Sequence, residues 1–266
     1  MIQTFHRPKA IFLDIDGTLV SFKTHKIPES TIRAVEKARA AGCLVFIATG
    51  RPRPFINNLG NLPYDGILCT NGASCLDAEG HCFHLNSIPR EDIERLVKRQ
   101  RTNPMPVICA SNNDIFFANP DSRQEEVHFI MTMLDIAMPP VRPLEEALKM
   151  DVVQAVAFFH PGEEEDEIMQ NVLKGCDANR WHFTFADCVA RGTNKASGID
   201  FMLEHWGIAL EDAMAFGDGG NDKEMLQHVG MGVAMGNAAD DVKAIADFVT
   251  TSVDDDGVAN VLNELF

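Results

Sequence analysis

A buried strand that ends in two acids constrains this chain more than any other stretch. Ala10-Ile-Phe-Leu13 has the length and composition of a strand covered on both faces, as in a parallel sheet. It runs straight into Asp14-Ile-Asp16-Gly17-Thr18-Leu19. In open α/β sheets the carboxyl ends of the strands open onto the ligand crevice, so both carboxylates fall where a substrate would sit. Residues two apart in extended chain project to one side, and Gly17 permits a sharp turn just beyond them. An ordinary turn or helix cap accounts for Gly17 and one acid, but not for two acids directly after a buried strand. A calcium loop starting at Asp14 needs Gly at its sixth position and Glu at its twelfth; Leu19 and His25 stand there, which excludes it.

The segments that follow keep a βαβ rhythm. A helix starting near Pro28, with Ile32 and Val35 on one face, stops at Gly42. Leu44–Ala48 is a second apolar run and ends in Thr49-Gly50-Arg51; Pro52 suits the opening of another helix, through about Leu59. Gly66–Thr70 reads as a third strand, ending in Asn71-Gly72. From about Cys82 the rhythm changes. A helix at Pro89–Gln100, a hairpin of Val107–Ala110 with Ile115–Ala118, and a helix near Glu125–Leu134 come first. A strand at Val152–Phe159, an acidic helix at Glu163–Leu173 and a strand at Trp181–Ala186 come next. This pattern indicates an α+β module inserted into the first domain. The parallel pattern then resumes with a helix at Ala196–His205, strands at Ala213–Phe216 and Gly230–Ala234, and a helix at Lys223–Val229. The expected organisation is a Rossmann-like parallel-sheet core, residues 1–82 and 189–266, carrying an inserted α/β cap at 83–188. Glu163-Glu164-Glu165 is read as solvated charge on a first helical turn, and Asp254-Asp255-Asp256 as the cap of the last helix.

With 266 residues there is room for both modules. Lys+Arg 23 against Asp+Glu 39 leaves a net charge of −16, a surface that repels phosphate backbones. Nucleic acid and anionic membranes are therefore not expected partners. A small phosphorylated substrate then needs local positive charge at its site. The seven cysteines are odd in number, form no C-x-x-C pair and sit largely in apolar runs, as thiols of a reducing compartment do. Residues 1–9 hold no apolar signal core and no run reaches ~18 apolar residues. A cytoplasmic protein is expected.

Four strand ends carry polar residues: Asp14/Asp16, Thr49-Gly50-Arg51, Asn71-Gly72 and Asp218/Asn221/Asp222. A parallel sheet brings all four to one edge. The Gly217–Asp222 loop is not a dinucleotide fingerprint, since Asp222 stands where the third glycine belongs, and no Walker A motif occurs. Carboxylates gathered in one crevice repel one another unless a cation sits among them. Mg²⁺ suits such a site, being held by one or two carboxylates, waters and substrate phosphate oxygens. The expected ligands are Asp14, Asp218 and the backbone carbonyl of Asp16, with Asp222 as a further ligand or holding a metal-bound water. For a shared ion, the carboxyl groups of residues 14, 218 and 222 must lie within about 8 Å of one another.

These motifs, in this order, resemble the haloacid dehalogenase (HAD) superfamily, and within it the Cof-type sugar-phosphatase branch with a large α/β cap of the C2B type. The matching residues are Asp14-Ile-Asp16-Gly17-Thr18-Leu19, Thr49-Gly50-Arg51, Asn71-Gly72-Ala73, Lys195 and Gly217-Asp218-Gly-Gly-Asn221-Asp222. One departure is Ala196, where the family often has Gly after its lysine. The resemblance implies a Mg²⁺-dependent phosphomonoesterase acting on small phosphorylated metabolites, sugar phosphates above all. Asp14 would be the nucleophile that becomes an aspartyl-phosphate. Asp16 would protonate the leaving alkoxide and then deprotonate the hydrolytic water, which requires that it can hold a proton near neutral pH. Thr49, with the N–H groups of Gly50 and Arg51, would bind the transferring phosphoryl oxygens, Lys195 would neutralise charge on them and on Asp14, and Asn221 would position this end of the site. Arg51 is read either as a phosphate or substrate contact or as a surface residue after a turn, and Asn71 either as a site residue or as a loop cap. The inserted module would be a lid that excludes water and sets specificity; with the lid in the same chain, a monomer is compatible with function. Two alternatives share the acids: a phosphotransferase such as a mutase, and a non-catalytic phospho-acceptor switch resembling response-regulator receivers. Receivers are single domains of ~100–150 residues and lack an acid two residues after the phosphorylated one.

Overall fold

The computed structural model describes residues 6–133 and 137–266. In chain order its strands are β1 Ala10–Leu13, β2 Leu44–Ala48, β3 Gly66–Cys69, β4 Ser74–Asp77, β5 Cys82–Leu85, β6 Val107–Ala110, β7 Ile115–Ala118, β8 Gln154–Ala157, β9 Cys176–His182, β10 Phe185–Ala190, β11 Ala213–Gly217, β12 Met231–Ala234 and β13 Phe248–Val249. Its helices are α1 Glu29–Ala40, α2 Arg90–Gln100, α3 Gln124–Met133, α4 Glu163–Asn171, α5 Lys195–Trp206, α6 Lys223–His228, α7 Asp240–Lys243 and α8 Gly257–Leu265. The fold is α/β with two compact units. One comprises the chain up to Arg51, Phe55–His84 and Asn194–Phe266; the other comprises Pro52–Pro54 and Leu85–Thr193.

In the first unit an eight-stranded sheet runs in the order β13-β12-β11-β1-β2-β3-β4-β5. The pairs from β13 to β3 are parallel and β4 returns antiparallel to β3. The period of two in an extended chain splits each strand between two cores. Ile11, Leu13, Val45 and Ile47 pack with α1 and α8 on one face. Ala10, Phe12, Phe46 and Ala48 pack with α5 and α6 on the other. Both faces being covered, β1 is apolar throughout and fully buried, each large side chain contributing ~1.5–3 kcal/mol. β4 lies just before, and β5 at, the point near Cys82 where the sequence rhythm changes, and neither was expected as part of this sheet.

The second unit is a five-stranded sheet, β7-β6-β8-β10-β9, in which every pair is antiparallel. Ile93, Leu96 and Val97 of α2 and Ile168 of α4 cover one face. Val127, Ile130 and Met131 of α3 cover Ile108, Phe117, Phe158 and Phe185 on the other. The β6–β7 hairpin turns at Ser111–Asp114, as its composition indicates. The helix expected near Glu125–Leu134 begins at Gln124, and its last residue lies outside the described residues.

Four local expectations are corrected. Arg53–Phe55 forms one 3₁₀ turn in place of a helix through Leu59. Pro54, inside that turn, has no N–H to carry a helix onward, and Asn57-Asn58 add no helix preference. Trp181–Ala186 is not one strand: it straddles the turn between β9 and β10. That turn lacks the usual Gly or Asn and is held by side chains, with Arg180 Nη1 donating to the carbonyls of Phe183 and Phe185 and Thr184 N–H donating to His182 Nδ1. Glu164 and Glu165 are ion-paired to Arg123 and Arg180 rather than simply solvated; burial pushes the Glu164 carboxyl up, but the His160 N–H and Arg123 beside it outweigh that and hold it below its usual range. The acids at 254–256 do not cap α8 through their side chains. Asp254 accepts from Ser21 Oγ at 2.6 Å, Asp255 from Ser252 Oγ, and Asp256 from Ser30 Oγ.

None of the seven cysteines forms a disulfide, and Cys82 is the exposed one. Burial pushes the Cys43 and Cys109 thiols up to about 12 and those of Cys75, Cys176 and Cys188 further still. A thiol reacts as its thiolate, so Ellman's reagent at pH 8 should titrate Cys82 rapidly in the native protein and the other six only on unfolding. Among the described residues, no helix is long and apolar enough to cross a membrane.

Candidate active site

The polar residues expected at the sheet edge come together there. Asp14 follows β1 directly and Asp218 follows β11, its neighbour in the sheet, so two carboxylates are delivered side by side. Ligand oxygens of Asp14, Asp218 and Asp222 lie within 4.8 Å of one another, well inside the limit for sharing one ion. Lys195 stands at the start of α5. Asn194 fixes that start with a capping box: its Oδ1 accepts from Ser197 N–H at 2.9 Å, and Ser197 Oγ accepts from Asn194 N–H at 3.2 Å. From there the fully buried ammonium donates to Asp14 Oδ1 and to Asp222 Oδ1, each at 2.5 Å. The second oxygen of Asp222 closes the loop on itself, accepting from Asp218 N–H at 2.9 Å and Gly219 N–H at 2.8 Å.

Charge balance indicates what this cluster takes up. Three carboxylates against one ammonium leave −2 when all are ionised. Burial pushes Asp14 well above the ordinary carboxylate range; Lys195 opposes the shift, and Asp222 and Asp218 add to it. Asp218 is pushed up to about 6, first by burial and then by Asp222. Lys195 loses stability as a cation through burial, but its two carboxylates outweigh this and hold it charged. One ammonium therefore does not satisfy three acids, and an all-oxygen donor set suits a hard divalent cation such as Mg²⁺. Asp77, Glu79 and His81 form a second group of suitable spacing, but on an exposed turn.

Gly17 makes the close approach possible. At φ 88° it takes a backbone conformation that favours glycine, and a Cβ there would collide with the Asp218 carboxylate. Thr18 Oγ1 donates to Asp218 Oδ1 at 3.0 Å. The Asp16 carboxylate lies outside the three-acid group. It is clamped by Arg51, with Nε to Oδ2 and Nη2 to Oδ1 both 2.6 Å, a bidentate fork. Arg51 also donates to Phe55 O. Its guanidinium is thus a partner of the second acid.

Thr49 is buried, and its Oγ1 accepts from Arg51 N–H at 3.1 Å, which leaves its own O–H to donate. Asn71 lies at the same sheet edge. With φ 53° it turns the chain after β3, donating its N–H to Thr49 O at 2.9 Å. Asn221 Nδ2 donates to Asn71 Oδ1 at 3.0 Å. Gly50 lies beneath this pair: a Cβ there would sit 3.1 Å from Asn71 Oδ1 and 3.2 Å from Asn221 Nδ2. The absence of a side chain keeps the amide cradle open. Thr18, Asn194 and Asn237 were given no role in the sequence reading. For Asn237 the available signal was a polar residue just past the end of a parallel strand, here β12.

The fold and site together define a phosphoryl-transfer enzyme of the α/β class. The chain belongs to the haloacid dehalogenase-like hydrolases, whose family model matches residues 11–262. It is a phosphatase of that family. YitU of Bacillus subtilis (strain 168), a 5-amino-6-(5-phospho-D-ribitylamino)uracil phosphatase, is 30% identical over 98% of this chain and 98% of its own. Among solved structures, the HAD subclass IIB sugar phosphatase BT4131 is 41% identical with a TM-score of 0.82, covering 96% of this chain and 98% of its own. BT1666 from Bacteroides thetaiotaomicron is 35% identical with a TM-score of 0.86, covering 98% and 96%.

Proposed function

We propose that the chain hydrolyses phosphate monoesters of small metabolites, sugar phosphates foremost, with Mg²⁺ and through an aspartyl-phosphate on Asp14. The observation that carries this reading is the Lys195 ammonium bridging Asp14 and Asp222 beside Asp218. Asp14, Asp218 and the backbone carbonyl of Asp16 would hold the Mg²⁺, with Asp222 as a further ligand or bonded to a metal-bound water. The ion would supply positive charge for the phosphoryl oxygens and keep Asp14 ionised.

An Asp14 carboxylate oxygen attacks phosphorus, and the bond from phosphorus to the ester oxygen breaks. Asp16 gives its proton to the departing alkoxide. It then takes a proton from water as the water oxygen attacks phosphorus, and the bond to Asp14 breaks with release of inorganic phosphate. The Arg51 fork occupies both Asp16 oxygens, so proton transfer by Asp16 calls for its release from the guanidinium. Thr49 O–H, the N–H group of Gly50, and the amide pair Asn71–Asn221 line the phosphoryl position, with Arg51 N–H spent on holding Thr49 Oγ1 in place, while Lys195 offsets charge that develops on it.

The inserted unit, 83–188 as read from the sequence, takes the part of a lid that selects the leaving group. Seven cysteines without a disulfide support a reducing, cytoplasmic setting, and the acidic surface argues against nucleic acid and anionic membranes as partners. The test is a panel of sugar phosphates, nucleotides and p-nitrophenyl phosphate assayed with Mg²⁺ and with EDTA. Metal-dependent phosphate release is expected. Formation of an isomerised sugar phosphate without inorganic phosphate would assign the same intermediate to a mutase.

A further inference from the structure

Asn237, three residues beyond β12, takes no part in the chemistry above, yet its side chain is fully engaged at the site. Its Nδ2 donates to Gly17 O at 2.9 Å and to Asp218 Oδ2 at 3.1 Å. Its Oδ1 accepts from Val253 N–H at 3.0 Å. The other Asp218 oxygen accepts from Thr18 Oγ1. Lys195 bridges Asp14 and Asp222, so the orientation of the third carboxylate is left to Thr18 and Asn237.

We infer that Asn237 is a positioning residue: it fixes the Asp218 carboxylate in the orientation that completes a divalent-cation site with Asp14 and Asp222. The inference rests on the Mg²⁺ reading given above. The residue type fits the task. One hydrogen bond to each Asp218 oxygen still leaves a lone pair on each for an ion. A neutral amide orients the carboxylate without adding a charge that competes with the cation, as a lysine or arginine in that place would. Outer groups of this kind set the direction of metal ligands, and losing one lowers metal affinity by ~10–100-fold. Asn237 is anchored in turn. The residue after Val253, Asp254, accepts from Ser21 Oγ at 2.6 Å and pairs with Lys23 Nζ at 2.7 Å. One C-terminal segment thereby holds the acid-bearing turn at both ends, Gly17 through Asn237 and Ser21 through Asp254.

The test is calorimetric titration of Mg²⁺ into the full-length protein, stripped of metal and without substrate. Asn237→Ala and Asn237→Leu both remove the donated bonds, and the leucine keeps the volume, so one folded variant suffices. Ser21→Ala loosens the same segment at its other end without touching Asp218. Both Asn237 variants are expected to bind Mg²⁺ at least ~10-fold more weakly, with a matching rise in the Mg²⁺ needed for half-maximal turnover, while Ser21→Ala keeps wild-type affinity. Wild-type Mg²⁺ affinity in a folded Asn237 variant, with only a lowered melting temperature, would reduce the residue to an anchor for Val253. Equal weakening in Ser21→Ala would move the effect to the segment and away from Asp218. A wild-type protein that takes up no Mg²⁺ would overturn the metal reading and this inference with it.

Discussion

Asp14→Asn is expected to lower kcat for p-nitrophenyl phosphate by ~10⁴-fold or more while the protein stays folded. Loss of a nucleophile costs this much because the remaining groups bind and polarise the substrate but have nothing to pass the phosphoryl group to. The amide is close in size to the carboxylate and can still accept from Lys195 through its oxygen, and Asp222 remains as that ammonium's charged partner. Far-UV circular dichroism and a cooperative melt separate loss of chemistry from loss of fold. A variant that keeps turnover within about tenfold of wild type would remove Asp14 from the role assigned to it.

Lys195→Met should damage stability and activity together. The ammonium is fully buried and joins two carboxylates delivered from opposite ends of the sequence, |195−14| = 181 residues apart on one side. Removing one partner of a buried ion pair leaves the other uncompensated in a medium that solvates it poorly, at a cost of ~3–5 kcal/mol. Here two carboxylates lose their common donor. Urea unfolding in EDTA should show the loss in full. Saturating Mg²⁺ should recover part of it, because a cation that binds only the folded state stabilises that state. The kcat deficit with metal present should be ~10²–10³-fold, the effect of one charged group aimed at a transferring phosphoryl. Unchanged unfolding in EDTA would mean that the bridge contributes nothing to the fold.

What was legible in the sequence followed from periodicity and from strand ends. Ala10–Leu13 and Leu44–Ala48 alternate between two cores, and a strand apolar on both faces has one home, the interior of a parallel sheet. Once those strands are parallel, the residues after them must share an edge, which is why Asp14, Thr49, Asn71 and Asp218 could be grouped before any coordinates. Lys195 was placed there by resemblance; its physical reason, the Asn194–Ser197 capping box that sets the first turn of α5, is visible only once the helix start is known. The failures have the opposite character. The turn between β9 and β10 depends on Arg180 reaching several carbonyls at once, a long side chain acting where a glycine would normally do so. Arg51 and Asp16 are 35 residues apart, and nothing local announces that one will clamp the other. Asp254 and Asp256 look like helix-capping residues, yet they bond Ser21 and Ser30 more than 200 residues away. Tertiary hydrogen bonds of this kind leave no periodic trace.

The central claim is that the Asp14 side chain carries the phosphoryl group between substrate and water. Asp16→Asn protein supplied with p-nitrophenyl phosphate and Mg²⁺ isolates that step, since this leaving group departs without an acid and the amide removes the base needed for hydrolysis. Rapid acid quench, borohydride reduction and peptide mass spectrometry should then find homoserine at position 14, in near-stoichiometric yield. Nitrophenolate release with residue 14 unmodified, or a reduced acyl phosphate at another carboxylate, would contradict the account.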